Sequence, residues 1–266
     1  MKRTVFSDID GTLLNSEQRI TQKTKYALGE LKKNGIPFVI VSARSPGGIF
    51  SVMKDNGINC PIISFSGALI MDENRKILYQ NGFCKSDARR ILNYIESGSF
   101  DVAVNIYSPA RWITKDRSDP RIVREEQTVK ICSEEGTFDI LDGDEICKIL
   151  CIGEPNVISS LEKSLKENFF DFEIVRSADF MLEIMHGGVN KAEAVKKLCE
   201  IWGVSPKDAA AFGDNYNDRE MLLAVGNGYL MDNAPTELKA QIKKHTKDNN
   251  RGGIYYALAE LGFINK

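Results

Sequence analysis

The chain has 266 residues, 42% of them hydrophobic and 27% charged, with a formal net charge of −2. That length can bury a sizeable core in one large domain or two smaller ones, and the composition is that of a soluble globular protein. The near-neutral balance gives no electrostatic case for nucleic acid or an anionic membrane, and no apolar run reads as a signal peptide or a membrane span, so a cytoplasmic protein is expected.

The first apolar strand, around Val5 and Phe6, runs straight into Asp8-Ile9-Asp10-Gly11-Thr12. Strand alternation would put Asp8 and Asp10 on one face. Two carboxylates crowded at a strand end repel each other, and a hard divalent cation such as magnesium is the usual relief. The plainer reading is a surface turn rich in Asp and Gly, but such a turn has no use for an apolar strand aimed into two carboxylates. Residues 20–34 read as a helix, with Thr21 as its N-cap and Gly35 as its stop. Residues 38–41 form a continuous apolar run suited to a strand buried on both faces, and it ends in Ser42-Ala43-Arg44. A second helix follows Ser45-Pro46, and a third strand over 61–65 ends in Ser66-Gly67-Ala68. This spacing predicts an α/β fold with a doubly wound, mainly parallel, Rossmann-like sheet, whose ligands sit beyond the carboxyl ends of its strands.

The pattern then changes. Residues 69–71 and 77–79 read as a hairpin about Asp72-Glu73-Asn74, followed by a helix over 86–97 and strands over 102–106 and 112–114. A second set comprises a strand over 147–152, a helix over 156–168 and paired strands over 172–175 and 181–184. These predict an inserted α+β domain with a mainly antiparallel sheet, 83–186, within a core formed by 1–82 and 187–266. In the insert, Arg111, Lys115, Arg117, Arg121 and Arg124 are interleaved with Asp116, Asp119, Glu125 and Glu126, which reads as a solvated face, and Trp112 reads as packing. His186 stands just before the hinge candidate Gly187-Gly188. The βα style resumes with a helix over 190–202, a strand over 209–212 that ends in Gly213-Asp214-Asn215-Tyr216-Asn217-Asp218, a helix over 220–223, a strand over 229–231 and helices over 235–243 and 253–261.

Six cysteines without a Cys-x-x-Cys pair are expected to be free thiols in a reducing compartment. His186 and His245 are the only histidines, which argues against a His-based triad or a zinc hydrolase and leaves carboxylates to carry the chemistry. Asp8 with Asp10, Ser42, Lys191 and the loop from Asp214 to Asp218 all fall at one edge of the predicted sheet. Taken singly, Ser42 is a turn cap, Lys191 a solvated helix residue and Asp214-Asn215 an N-cap. Together they are the parts phosphoryl transfer requires: a carboxylate nucleophile, a cation between two anions, donors for the charged oxygens, and a second carboxyl to move the proton.

Asp8-Ile-Asp-Gly-Thr-Leu after an apolar strand, Ser42 ending a second strand, Lys191 in Gly187-Gly-Val-Asn-Lys-Ala, and Gly213-Asp-Asn-Tyr-Asn-Asp218 resemble the four motifs of the haloacid dehalogenase superfamily. The placement of the insert resembles the Cof-type group with a class IIB cap. That resemblance implies a magnesium-dependent phosphatase of a small phosphorylated metabolite, typically a sugar phosphate, acting through an aspartyl-phosphate. Asp8 would be nucleophile and metal ligand, and Asp10 the general acid/base, giving its backbone carbonyl to the metal. Asp214 would complete the ligands with Asp218 in support. Ser42, Lys191, Asn217 and the backbone N–H groups of Ile9 and Ala43 would hold the phosphate, and the insert would be the substrate lid. The chain departs from the usual pattern at Ser42-Ala43-Arg44 for Thr-Gly-Arg, at Ser66-Gly67-Ala68 for Asn-Gly-Ala, and at Ala192 for Gly, and none of these removes a required part. A phosphomutase, a dedicated sugar-phosphate phosphatase and a non-catalytic phospho-ligand regulator are the alternatives on this scaffold, with a monomer as the default state.

Overall fold

The computed structural model describes residues 3–141 and 146–265. In chain order the first run comprises β1 (Thr4–Ser7), α1 (Gln22–Lys33), β2 (Phe38–Val41), α2 (Pro46–Asn56), β3 (Ile62–Ser64), β4 (Leu69–Met71) and β5 (Ile77–Gln80). The middle run comprises α3 (Lys85–Ser97), β6 (Val102–Tyr107), β7 (Trp112–Thr114), α4 (Pro120–Val129), β8 (Glu134–Glu135), β9 (Lys148–Gly153), α5 (Pro155–Asn168), β10 (Phe172–Ala178) and β11 (Met181–His186). The last run comprises α6 (Lys191–Trp202), β12 (Ala209–Gly213), α7 (Arg219–Ala224), β13 (Asn227–Leu230), α8 (Thr236–Lys239), β14 (Lys244–His245) and α9 (Gly253–Glu260). Two compact units result. Met1–Ala43, Val52–Leu78 and Asn190–Lys266 form one, and Arg44–Ser51 with Tyr79–Val189 form the other.

Among the described residues the strands make two sheets, and the first confirms the doubly wound α/β reading. Its order is β14-β13-β12-β1-β2-β3-β4-β5, parallel from β14 through to β3 and antiparallel at β3–β4. The chain moves outward from β1 in one direction early and from β12 in the other direction late, so the strand order reverses between these two central strands. Crevices form beyond the carboxyl ends of the strands at such a reversal. The apolar runs that predicted buried strands are indeed buried: Val5, Phe6, Val39, Ile40, Val41, Ala210, Ala211 and Phe212 are inaccessible to solvent.

The second sheet, in the order β10-β11-β9-β6-β7-β8, is antiparallel except where β7 and β8 run parallel. Alternate strand residues (Ile106, Ile113, Ile149, Cys151, Leu182 and Ile184) pack with Ala88, Ile91 and Ile95 of α3 and Ile158, Leu161 and Leu165 of α5. Period-2 strands against period-3.6 helices therefore bury one face of this sheet. Among the described residues no helix is long and apolar enough to cross a membrane.

Two elements differ from expectation. The helix expected over 235–243 is only Thr236–Lys239, because the chain must unwind to place Lys244–His245 beside β13. The segment that reads as a solvated charged face contains α4, capped by the Asp119 side chain, which accepts the Arg121 N–H, with Pro120 in the first turn. Ile122 is its one buried residue, so no apolar stripe announces the helix.

The turn after β3 is strained. Phe65 and Ser66 have φ of +50° and +57°, in the left-handed region that non-glycine residues seldom occupy. Gly67 follows at φ +120°, and a Cβ there would lie 2.5 Å from the Asn190 carbonyl oxygen. The backbone folds this way so that the Ser66 N–H can donate to the Ser42 carbonyl at 3.0 Å, tying the ends of β2 and β3 together. Asn tolerates the left-handed region better than Ser. Ser66→Asn should therefore raise stability by about 0.5–1 kcal/mol and Gly67→Ala should lower it by about 1–3 kcal/mol, both read from urea denaturation midpoints.

Candidate active site

The residues just past β1, β2 and β12 stand at the strand-order reversal, where ligand crevices of such sheets form. Strand β1 stops at Ser7, and the Asp8 N–H still donates to the Phe212 carbonyl at 3.0 Å, which fixes Asp8 as the last anchored residue. The chain then turns, with the N–H groups of Thr12, Leu13 and Leu14 returning to the carbonyls of Ile9, Asp8 and Ile9. Strand alternation thus does not extend to Asp10. Asp8 is buried and Asp10 is exposed, and the Asp10 charge still adds to the rise of the Asp214 carboxyl.

What crowds Asp8 comes from the far end of the chain. The carboxylates of Asp8, Asp214 and Asp218 offer oxygens that all lie within 4.8 Å of one another. Lys191, the first residue of α6, is set by the N-cap Asn190, whose side chain accepts the Glu193 N–H. Its ammonium donates to Asp8 Oδ1 and to Asp218 Oδ1, each at 2.6 Å, and its side chain is 1% exposed. The other Asp218 oxygen accepts the N–H groups of Asp214 and Asn215 at 3.0 and 3.1 Å. Asp218 therefore spends both oxygens on bracing Lys191 and its own loop. Asp214 is held by the Thr12 hydroxyl, 2.7 Å from Oδ1, and by the Asn233 amide, 3.2 Å from Oδ2. A Cβ at Gly11, whose φ is +80°, would collide with that same carboxylate.

The electrostatics follow from burial. Burial raises the Asp8 carboxyl well above the usual carboxylate range; Lys191 opposes this, while Asp218 and Asp214 add to it. Burial alone would lower the Lys191 ammonium, but Asp218 and Asp8 outweigh it and keep it charged at any physiological pH. Burial also lifts Asp214 to about 6, against the Thr12 hydrogen bond. Three buried or half-buried carboxylates share one ammonium. That excess of negative charge, presented by hard oxygen donors, fits a divalent cation, which the second Asp8 oxygen and the remaining lone pairs of the Asp214 oxygens could hold.

The other expected site residues lie on the same unit. Ile9 is buried and Ser42 is 2% exposed, with its N–H donating to the Ile63 carbonyl at 2.9 Å; Ala43 follows it, and Asn217 is exposed on the loop after β12. Sequence reasoning missed Thr12 and Asn233. Thr12 stood in plain view beside Asp10-Gly11, and a hydroxyl next to an acidic turn was the signal. Asn233 carries no such signal. It also donates to the Gly11 carbonyl at 2.8 Å and accepts the Asn249 N–H at 3.2 Å, linking loops more than 200 residues apart.

Removing the ammonium tests this account of the site. Lys191→Met leaves two buried carboxylates facing each other and should cost about 3–5 kcal/mol in urea unfolding at pH 7 without divalent cations. That deficit should shrink as pH falls, because protonation relieves the stranded carboxylates.

A family model described as haloacid dehalogenase-like hydrolase matches residues 5–258. A Haemophilus influenzae protein named "Putative phosphatase" is 37% identical over 260 residues, covering 98% of each chain. A haloacid dehalogenase-like hydrolase from Bacteroides thetaiotaomicron superposes with a TM-score of 0.87 at 24% identity, covering 98% of this chain and 100% of that one. A structure described as the HAD subclass IIB sugar phosphatase BT4131 superposes with a TM-score of 0.83 at 20% identity, covering 98% of this chain and 100% of that one.

Proposed function

The chain belongs to the haloacid dehalogenase-like hydrolases and is a phosphatase of their Cof-type branch, and from that premise we propose that it hydrolyses small phosphorylated metabolites, sugar phosphates foremost, through an aspartyl-phosphate on Asp8 and with magnesium as cofactor. The observation that carries this reading is the buried Lys191 ammonium shared by Asp8 and Asp218, with Asp214 within cation-sharing distance. Sugar phosphates are the ester class that the Cof-type resemblance implies.

In this mechanism an Asp8 carboxylate oxygen attacks phosphorus and the bond to the alcohol oxygen breaks. Lys191 already holds one Asp8 oxygen at 2.6 Å, which directs the other oxygen to the nucleophilic role. Asp10, exposed where Asp8 is buried, suits proton traffic with solvent. It protonates the leaving alcohol, then takes the proton of a water that cleaves the aspartyl-phosphate and releases inorganic phosphate. The Ser42 hydroxyl, the N–H groups of Ile9 and Ala43, Lys191 and Asn217 stabilise the charged phosphoryl oxygens. A magnesium ion held by Asp8, Asp214 and the Asp10 carbonyl oxygen would reduce the repulsion between nucleophile and phosphate. The inserted unit acts as the substrate lid.

Phosphate release from a panel of sugar phosphates should stop on chelation and fall to background in Asp8→Asn. Asp10→Asn should lose about 10²–10⁴-fold in kcat. An isomerised ester without free phosphate would instead identify a mutase, and binding without turnover a regulator.

The Asp214 carboxyl gives a pH test of the metal. Because its folded pKa of about 6 lies above the ordinary value, its contribution to the stability of the metal-free protein is full below the unfolded carboxylate range and is lost as pH rises through about 6. Cation binding needs the ionised form and runs the opposite way. Magnesium should therefore raise the melting temperature at pH 7.5 in scanning fluorimetry, and that increment should fade as pH drops below about 6; an increment independent of pH would remove Asp214 from the ligand set.

A further inference from the structure

The unit that carries Asp8 and Lys191 also holds cations with no part in that site. The start of α1, the turn leading into α9 and α9 itself meet at Tyr256. The Lys23 ammonium donates to the Tyr256 hydroxyl and stands 4.6 Å from the centre of its ring. The Lys247 ammonium lies 3.7 Å from the same ring centre. Neither lysine forms an ion pair with a described carboxylate, whereas Arg251 beside them is paired with Asp248 at 3.0 Å.

Packing does not explain this pair of lysines. One lysine stem suffices to cover a half-exposed phenol ring, and a second ammonium at the same ring adds like-charge repulsion. Helix electrostatics do not explain it either. A helix N-terminus favours acidic residues, yet the first turn of α1 has none and places Lys23 directly behind the N-cap Thr21 and Gln22. Local choices that run against the local rule are expected where a ligand takes part.

The surroundings narrow the ligand. Lys23, Lys247, Arg251, Asn250 and Tyr256 are among the residues that line a cleft of about 360 Å³, and no carboxylate lines it. Asn250 uses its carbonyl oxygen on Ser16, whose N–H and hydroxyl it accepts at 3.0 and 2.9 Å, so its amide nitrogen is the end that remains for the cleft. Two ammonium ions without counter-ions call for at least two negative charges. A second cleft of about 440 Å³ adjoins the first, sharing Lys23 and Tyr256, and Tyr26 and Tyr255 form its other walls. Tyr26 is 47% exposed and meets Tyr255 edge-on at 6.1 Å, and no described cation covers either ring. Open aromatic faces beside a cation cluster suit a planar base carrying phosphates.

We propose that this double cleft binds a nucleoside polyphosphate, with its phosphates on Lys23, Lys247 and Asn250 and its base on Tyr26 and Tyr255. The site is independent of the phosphatase reading, because binding there needs neither turnover nor a metal.

The experiment titrates ATP calorimetrically into the full chain in EDTA. Without a divalent cation the carboxylates around Asp8 repel the nucleotide, so the heat reports the lysine cluster. ATP should bind about tenfold more tightly than tripolyphosphate, which has no base to stack, and adenosine should bind too weakly to measure. The Lys23→Ala/Lys247→Ala double variant should bind ATP at least about tenfold more weakly. Tyr26→Leu should bring ATP to the affinity of tripolyphosphate. Both variants should unfold within about 4 °C of the wild type, which separates a lost site from a lost fold. A further readout comes from Tyr256, whose phenol Lys23 and Lys247 hold below the ordinary tyrosine range. Phosphates that take up those ammonium charges should move its ionisation to higher pH, an ultraviolet absorbance shift that is absent in Tyr256→Phe. No binding of ATP, equal affinity for ATP and tripolyphosphate, ATP binding undiminished in the double lysine variant, or tighter binding of an oligoadenylate than of ATP would each overturn the proposal.

Discussion

A single buried ammonium organises the candidate site. Lys191 reaches Asp8 and Asp218 at 2.6 Å each, joining the end of the first strand to the start of α6 and to the loop after β12. Those residues lie up to 210 positions apart in the chain. In a low-dielectric interior each carboxylate is costly without the lysine, and the lysine is costly without them. The first and last thirds of the chain therefore need one another for charge as well as for strand pairing, and a unit of more than a hundred residues can stand between them without loosening the bond.

Much of this was legible in the sequence, for physical reasons. Parallel strands buried on both faces must be continuously apolar, so β1, β2 and β12 declare themselves, and the polar residues that end them stand out against that background. Asp8, Ser42, Lys191 and Asp214 are visible for that reason. The strand rule overreached by three residues. Strand β1 ends at Ser7, and from Asp8 onward the geometry is that of a turn, with Asp8 buried and Asp10 exposed. A periodicity argument loses its force where the periodic element stops, which is where an active site of this fold begins.

Other parts left no trace in the pattern because their partners are remote. Asn233 matters through a carboxylate at 214 and a carbonyl at 11, and nothing local to 233 reports either. Helix α4 buries Ile122 and surrounds it with charges, so its apolar stripe is too thin to see, although Asp119-Pro120 is a fair helix start. The strain at Phe65 and Ser66 is similarly tertiary in origin. It is held by the Ser66-to-Ser42 hydrogen bond and by the close approach of Gly67 to Asn190.

The two charged groups of the protein differ in a way that bears on what each can hold. In the first unit, three carboxylates face one ammonium, and the surplus negative charge is stable only with a proton or a cation, which is why burial drives the Asp8 and Asp214 carboxyls upward. On the proposed reaction, a dianionic phosphate needs that surplus offset, which is the part a bound cation would play. In the inserted unit, the buried Lys148 and Glu183 form a one-to-one pair. A balanced group attracts neither metal nor phosphate.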